Sequence, residues 1–160
     1  MLTLRPIRPE DNAAVKALIL RVMGEFSCLG DGFSSSDAEL DDMYAAYRQP
    51  GCAFYVLTED GGRVVGTGGY GPLPETSGVC ELRKMYLLGE VRGKGGGKTM
   101  LTACLQGARE AGYDWMYLET VRQMTRAAEL YVSFGFQPLD GPMGRTGHCG
   151  CDRFLVKELI

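Results

Sequence analysis

Three groups of residues in this chain have the types and spacing of chemistry. The first is Arg92-Gly93-Lys94-Gly95-Gly96-Gly97-Lys98-Thr99, a glycine-rich run carrying three cations. Glycine lets an anion approach the backbone closely, and a helix start offers unpaired N–H groups and a positive dipole end. Phosphate binding is the natural inference, against a bare turn with no ligand. The second group is a pair of carboxylates, Glu81 and Glu119, each set in apolar residues that read as strand. Such a carboxylate is costly to bury without a partner or a task. It either pairs with a cation, such as Arg83 or Arg122, or accepts a proton in a reaction. The third is Tyr131, on a helical stripe with Ala127, Leu130 and Phe134. A phenol with an ordinary pKa of ~10 keeps its proton at neutral pH and can donate it, although the stripe equally suits a core tyrosine.

The glycine run fits neither common nucleotide motif. Gly97-Lys98-Thr99 has the ending of a P-loop, but that motif needs glycine where Arg92 stands. The dinucleotide fingerprint GxGxxG needs glycine at Lys98. Metal chemistry is also poorly served. Cys28, Cys52, Cys80, Cys104, Cys149 and Cys151 include no CxxC pair, and only His148-Cys149-Gly150-Cys151 is clustered. A closed zinc site needs four ligands, so the expectation is no metal and free thiols acting as small core hydrophobes in a reducing compartment. His148, the sole histidine, titrates where a base should, but its glycine-rich loop predicts an exposed or structural role. Phe26, Phe33, Tyr44, Tyr47 and Tyr70 could wall a pocket and fit ordinary packing as well. Glu39, Asp41 and Asp42 read as a solvated helix face.

Positioning these groups takes 160 residues, 45% apolar and 23% charged, which is the make-up of one ordinary globular domain. A formal charge of -3 gives no electrostatic case for a nucleic-acid or membrane-surface binder. No apolar run approaches the ~20 residues of a membrane span, and Met1-Leu2-Thr3-Leu4-Arg5 lacks a signal-peptide core, so a cytoplasmic protein is expected. Alternation predicts strands over 2–7, 53–57, 63–70, 79–88, 115–121, 136–139 and 153–159, the second and third joined by Glu59-Asp60-Gly61-Gly62. Helical spacing is found after Pro9, after a Ser36/Glu39 capping box, from Met100 to Ala108 and from Ala127 to Phe134. The order is β-α-α-β-β-β-α-β-α-β-β. Its β-α-β run implies a parallel pair and its hairpin an antiparallel one, so the sheet is mixed.

The run from Arg92 to Gly97 does fit R/Q-x-x-G-x-G/A. Preceded by Glu81-Leu82-Arg83-Lys84-Met85-Tyr86-Leu87, it resembles the acetyl-CoA motif of the GNAT acetyltransferase superfamily. Ala128-Glu129-Leu130-Tyr131-Val132-Ser133-Phe134-Gly135-Phe136 resembles that superfamily's A-x-x-L-Y-x-x-x-G-F signature. With the element order, the similarity covers nearly the whole chain.

The resemblance implies a single-domain α/β (α+β) fold, a mixed and mostly antiparallel sheet flanked by helices, of the acyl-CoA N-acyltransferase type. It implies acetyl-CoA as cosubstrate, in a V-shaped opening where strands 79–88 and 115–121 splay apart. Pantetheine would pair with the backbone of Met85, Tyr86 and Leu87, and pyrophosphate would rest on the turn of Arg92, Gly93, Lys94, Gly95, Gly96, Gly97 and Lys98. Tyr131 matches the tyrosine placed near the cofactor sulfur as acid. Glu81 matches the base of a histone-modifying subgroup, acting directly or through water. Glu119, the reserve, matches that of ribosomal-protein N-terminal acetyltransferases. A backbone N–H near Leu87 would face the oxyanion. Gly89, Gly96 and Met124 depart from the family's proline, aliphatic residue and asparagine, which touches a side-chain contact to the cofactor and leaves the backbone cradle. The expected activity is acetyl transfer from acetyl-CoA to a primary amine of a small molecule, amino acid or protein terminus. The alternative is a non-catalytic acyl-CoA-binding or regulatory module. An amine-bearing acceptor is the expected partner, with no nucleic acid and no membrane, and a homodimer is left open.

Overall fold

The structure, a computed structural model, describes every residue except Asp31, Ser34, Ser36 and Cys149. Strands β1 (Thr3–Pro6), β2 (Ala53–Thr58), β3 (Val64–Pro72), β4 (Val79–Leu87), β5 (Trp115–Thr120), β6 (Gln137–Leu139) and β7 (Arg153–Glu158) form one sheet in the order β1-β2-β3-β4-β5-β7-β6. Among the described residues, α-helices accompany it at α1 (Asn12–Glu25), α2 (Met43–Ala46), α3 (Gly96–Glu110) and α4 (Thr125–Ser133). Among the described residues, β4 and β5 run parallel and the other neighbouring strands are antiparallel. The parallel pair follows from the α3 crossover, since strands joined by a tight turn can only reverse.

Period-two alternation along the strands separates two apolar layers. Phe54 and Val56 join Val15, Ile19, Met23, Leu40 and Met43 in one cluster. Leu57, Cys80, Leu82, Met116 and Leu118 face the other, where α3 lays down Met100, Leu101, Cys104, Leu105 and Ala108. The five described cysteines are free, and Cys80 and Cys104 are core residues. Cys149 lies outside the described residues. No described helix is long and apolar enough to cross a membrane.

The second expected helix is the main local difference. Its Ser36 cap lies outside the described residues. Past it the chain makes a 3-10 turn, Ala38–Asp41, then the single turn of α2. Asp42 interrupts them at φ -150°, ψ 76°. Its carboxylate accepts from the Ala45 N–H at 3.1 Å and from the Asn12 carboxamide at 2.8 Å. Asn12 in turn accepts from the Tyr44 N–H at 2.9 Å. Short polar side chains compete for backbone groups in this way, so the helix stops and restarts. Leu40, Met43 and Tyr47 remain buried.

Candidate active site

The β4–β5 ladder is short. Pairing covers Val79↔Trp115, Cys80↔Met116 and Glu81↔Tyr117, and stops there. Beyond Glu81 and Tyr117 the two strands separate, and β4 has no β5 partner. The wedge between them is a cavity lined by Leu82, Met85, Tyr86, Leu118, Glu119 and Tyr131, with Glu81 at its inner end. Because Glu81 lies opposite Tyr117, the side-chain alternation carries Glu119 to the same sheet face as Glu81. That is how two carboxylates far apart in sequence meet.

A bulge shapes the β4 wall. Register shifts between Thr67 and Gly69, and Lys84 opposite them takes φ 51°. A left-handed conformation costs a non-glycine residue about 1–2 kcal/mol and persists when its surroundings fix it. Here the Thr67 hydroxyl donates to the Lys84 carbonyl at 2.8 Å. The Lys84 ammonium, 1% exposed, pairs with Asp37 at 2.6 Å and with Glu39. Glu39, expected on a solvated face, is therefore a structural counter-ion, and it also accepts from the Tyr47 hydroxyl at 2.9 Å.

Glu81 is buried and meets Arg83 Nε at 2.7 Å. Burial raises its carboxyl pKa above the ordinary range, with Arg83 acting in the opposite sense. Glu119 accepts from the Tyr117 hydroxyl at 2.6 Å and from the Thr146 hydroxyl at 2.5 Å. Of the two cations considered for these carboxylates, Arg83 does pair with Glu81, whereas Arg122 lies against Asp152.

His148 is neither exposed nor remote. Its Nε2 lies 3.0 Å from both oxygens of Asp37, and it joins Glu81 and Glu119 with one donor atom from each within 4.8 Å. Burial acts to lower its pKa, but the Asp37 hydrogen bond and charge outweigh that and raise it. Sequence reasoning sets His148 aside and misses Asp37 and Lys84. No local signal marks them, because Asp37 is 111 residues from the histidine it holds.

Tyr131 comes from the α3 side of the sheet, in the cluster with Leu82 and Leu118, and its ring meets Phe136 edge-on at 5.8 Å. Its hydroxyl makes no hydrogen bond among the described residues and is not sealed away from solvent. Burial pushes its pKa well up, so the phenol stays protonated. It is a core ring with its polar end on the cavity.

The glycine run forms the turn into α3. Gly93 and Gly95 take φ 80° and 83°, and nothing lies within 4 Å of where a Cβ would sit on either. Gly96 is different: a Cβ there would stand 2.7 Å from the end of the Leu57 side chain, so a larger residue would push on the packing of α3 against the sheet. The first helical N–H groups have no intrahelical partner, and exposed Lys94 and Lys98 flank them. Arg92 turns elsewhere. It donates to the Leu87 carbonyl at 3.1 Å, pairs with Glu25 at 3.0 Å and stacks on Phe26 at 5.4 Å, fastening the turn to β4 and the end of α1.

Residues 21–136, which hold the splayed parallel pair, the bulged β4 wall and the glycine turn opening the crossover helix, match the model of the acetyltransferase (GNAT) family. The chain belongs to that family. This GNAT chain is 39% identical over 158 residues to the uncharacterized N-acetyltransferase YjgM of Escherichia coli (strain K12), across 98% of this chain and 94% of that protein. Its fold matches that of a GNAT-family acetyltransferase from Staphylococcus aureus Mu50, with a TM-score of 0.86 over 100% of both chains at 20% identity. It also matches YncA from Salmonella typhimurium, solved with its cofactor acetyl-CoA, with a TM-score of 0.75 at 23% identity over 100% of this chain and 95% of that one.

Proposed function

We propose that this GNAT chain transfers an acetyl group from acetyl-CoA directly to a primary amine. The observation that carries the reading is the wedge beyond Glu81 and Tyr117, where two carboxylates and a free phenol share one cavity. The residues fit the cosubstrate. Past Glu81, β4 lacks a strand partner on the β5 side, which suits the amide-bearing pantetheine arm at Met85, Tyr86 and Leu87. Gly93 and Gly95 leave open the space a side chain would fill, so the backbone from Gly93 to Lys98 suits a diphosphate. Acetyl-CoA supplies a thioester carbonyl activated toward amines.

The chain's own groups then have distinct tasks. Glu81 takes the ammonium proton at Oε2, the oxygen not held by Arg83, directly or through a water. Both oxygens of Glu119 already accept hydroxyl hydrogen bonds, which leaves Glu81 as the freer acceptor. A backbone N–H near Leu87 faces the developing negative charge on the carbonyl oxygen. Tyr131 keeps its proton at Oη and holds it for the departing sulfur.

Thiol release from acetyl-CoA, screened over small amines, amino acids and peptides with free N-termini, tests this. An amine-dependent rate is expected with at least one class. Binding of acetyl-CoA with no release on any class would overturn the reading.

A further inference from the structure

We propose that Glu81, Glu119 and His148 form a binding site for one divalent metal ion of the zinc class. The three side chains come from β4, from β5 and from the loop before β7, and one donor atom from each lies within 4.8 Å of the others. Donors around a four-coordinate zinc ion at ~2.0–2.2 Å stand about 3.3–3.6 Å apart, so closure takes a shift of ~1 Å in jointed side chains.

Each donor group is aimed by an outer partner, as ligands in metal sites are. Arg83 holds Oε1 of Glu81 at 2.7 Å, the Tyr117 and Thr146 hydroxyls hold Glu119, and Asp37 holds Nε2 of His148 at 3.0 Å. A carboxylate on Nε2 fixes the proton there and leaves Nδ1 with the lone pair a metal needs. The Glu81 side chain is 5% exposed, yet its Oε2 makes no hydrogen bond among the described residues.

Charge agrees with geometry. Asp37, Glu39, Glu81 and Glu119 bring four carboxylates, against the cations Arg83 and Lys84. With His148 protonated, as Asp37 favours, the cluster keeps one negative charge beyond its own pairing, and two once an entering ion displaces the ring proton. Arg145, at the rim, lies 4.0 Å from Glu75 and those two offset each other. A mixed carboxylate and imidazole set suits Zn²⁺ and its neighbours rather than Cu(I) or an iron–sulfur cluster. The set is also not the cysteine cluster weighed from the sequence. An ion here would fill the space where the acceptor ammonium loses its proton, so Zn²⁺ would compete with the amine and not with acetyl-CoA. That consequence rests on the acetyl-transfer reading; the binding itself does not.

The test is a calorimetric titration of ZnCl₂ into the metal-freed full chain, with no acetyl-CoA or amine present. One equivalent is expected to bind to the wild type and to the Cys149→Ser/Cys151→Ser double variant. Affinity is expected to fall at least ~10-fold in both Glu119→Gln and His148→Gln, with melting curves showing that each variant is folded. Co²⁺ titrated into the wild type reads the ligand set without any variant: visible bands and no near-ultraviolet thiolate band are expected. Failure of the wild type to bind, undiminished affinity in both ligand variants, or a thiolate band from Co²⁺ would overturn the proposal. Zinc binding without acetyl transfer on any amine would support this site and count against the acetyl-transfer reading alone.

Discussion

Replacing Tyr131 with Phe removes one hydroxyl that has no hydrogen-bond partner among the described residues and leaves the ring on Phe136. A core role and a chemical role therefore give different outcomes. As proton donor, Tyr131→Phe lowers kcat by about 10²-fold, the low end for a general acid because a thiolate leaves fairly well, and melting is nearly unchanged. A lower Tm with normal kcat would reduce Tyr131 to packing. As proton acceptor, Glu81 gives the rate a pH dependence. Only its ionised form accepts a proton, and burial raises its pKa, so kcat/KM climbs with pH along a limb displaced above the usual carboxylate value of ~4.3. Glu81→Gln flattens that limb and lowers the plateau by ~10²–10⁴-fold. A full-rate Glu81→Gln enzyme beside a crippled Glu119→Gln enzyme would transfer the role to Glu119. Glu81, Glu119 and Tyr131 are legible as types in patterned segments, because strand and helix periods fix where their side chains go. His148 is not, since the Asp37 carboxylate that holds it comes from across the fold, and no spacing rule reaches that far.

Gly95→Asp puts an anion at the start of α3, in a position at φ 83° where a side chain costs about 1–2 kcal/mol. The protein still folds, with a lower Tm, and acetyl-CoA affinity measured by calorimetry is expected to fall below detection. Unchanged affinity would take the turn out of the site. Asp11 ties the start of α1 to β1: it accepts from Arg5 at 2.7 and 2.9 Å and from the Arg8 N–H at 2.7 Å. Chiefly through the Arg5 hydrogen bond, its pKa is depressed below the ordinary value. A depressed carboxylate stabilises the fold above its unfolded pKa and loses that contribution as pH falls through the folded one. Asp11→Asn should thus cost about 1–3 kcal/mol at pH 7, and the gap from wild type should close below pH ~4. A gap that stays constant down to pH 2 would contradict this. Sequence pattern locates every strand here to within a residue or two, from runs of strand-forming residues bounded by turn residues, even in β3, which is buried along nearly its whole length. It fails at α2, where Leu40, Met43 and Tyr47 keep helical spacing while Asp42 and Asn12 take the backbone hydrogen bonds.

For the whole molecule, element order and the mixed sheet are readable from hairpin and crossover rules, whereas the insertion of β7 between β5 and β6 is not. Neither final strand carries a turn that dictates its neighbour, and only the completed apolar layers choose. The wedge is itself a whole-molecule property, because it exists only where β4 and β5 stop pairing. A ligand that joins the β4 edge to the α3 turn binds the native state alone and raises its stability by mass action, about 2.7 kcal/mol at a hundred times Kd. For a domain of this size that corresponds to roughly 5–10 °C in Tm. Thermal melting of the wild-type chain with acetyl-CoA, and separately with ATP, is the most direct measurement. Acetyl-CoA is expected to raise Tm by that amount and ATP to leave it nearly unchanged; a rise with ATP and none with acetyl-CoA would contradict an acyl-CoA site in the wedge.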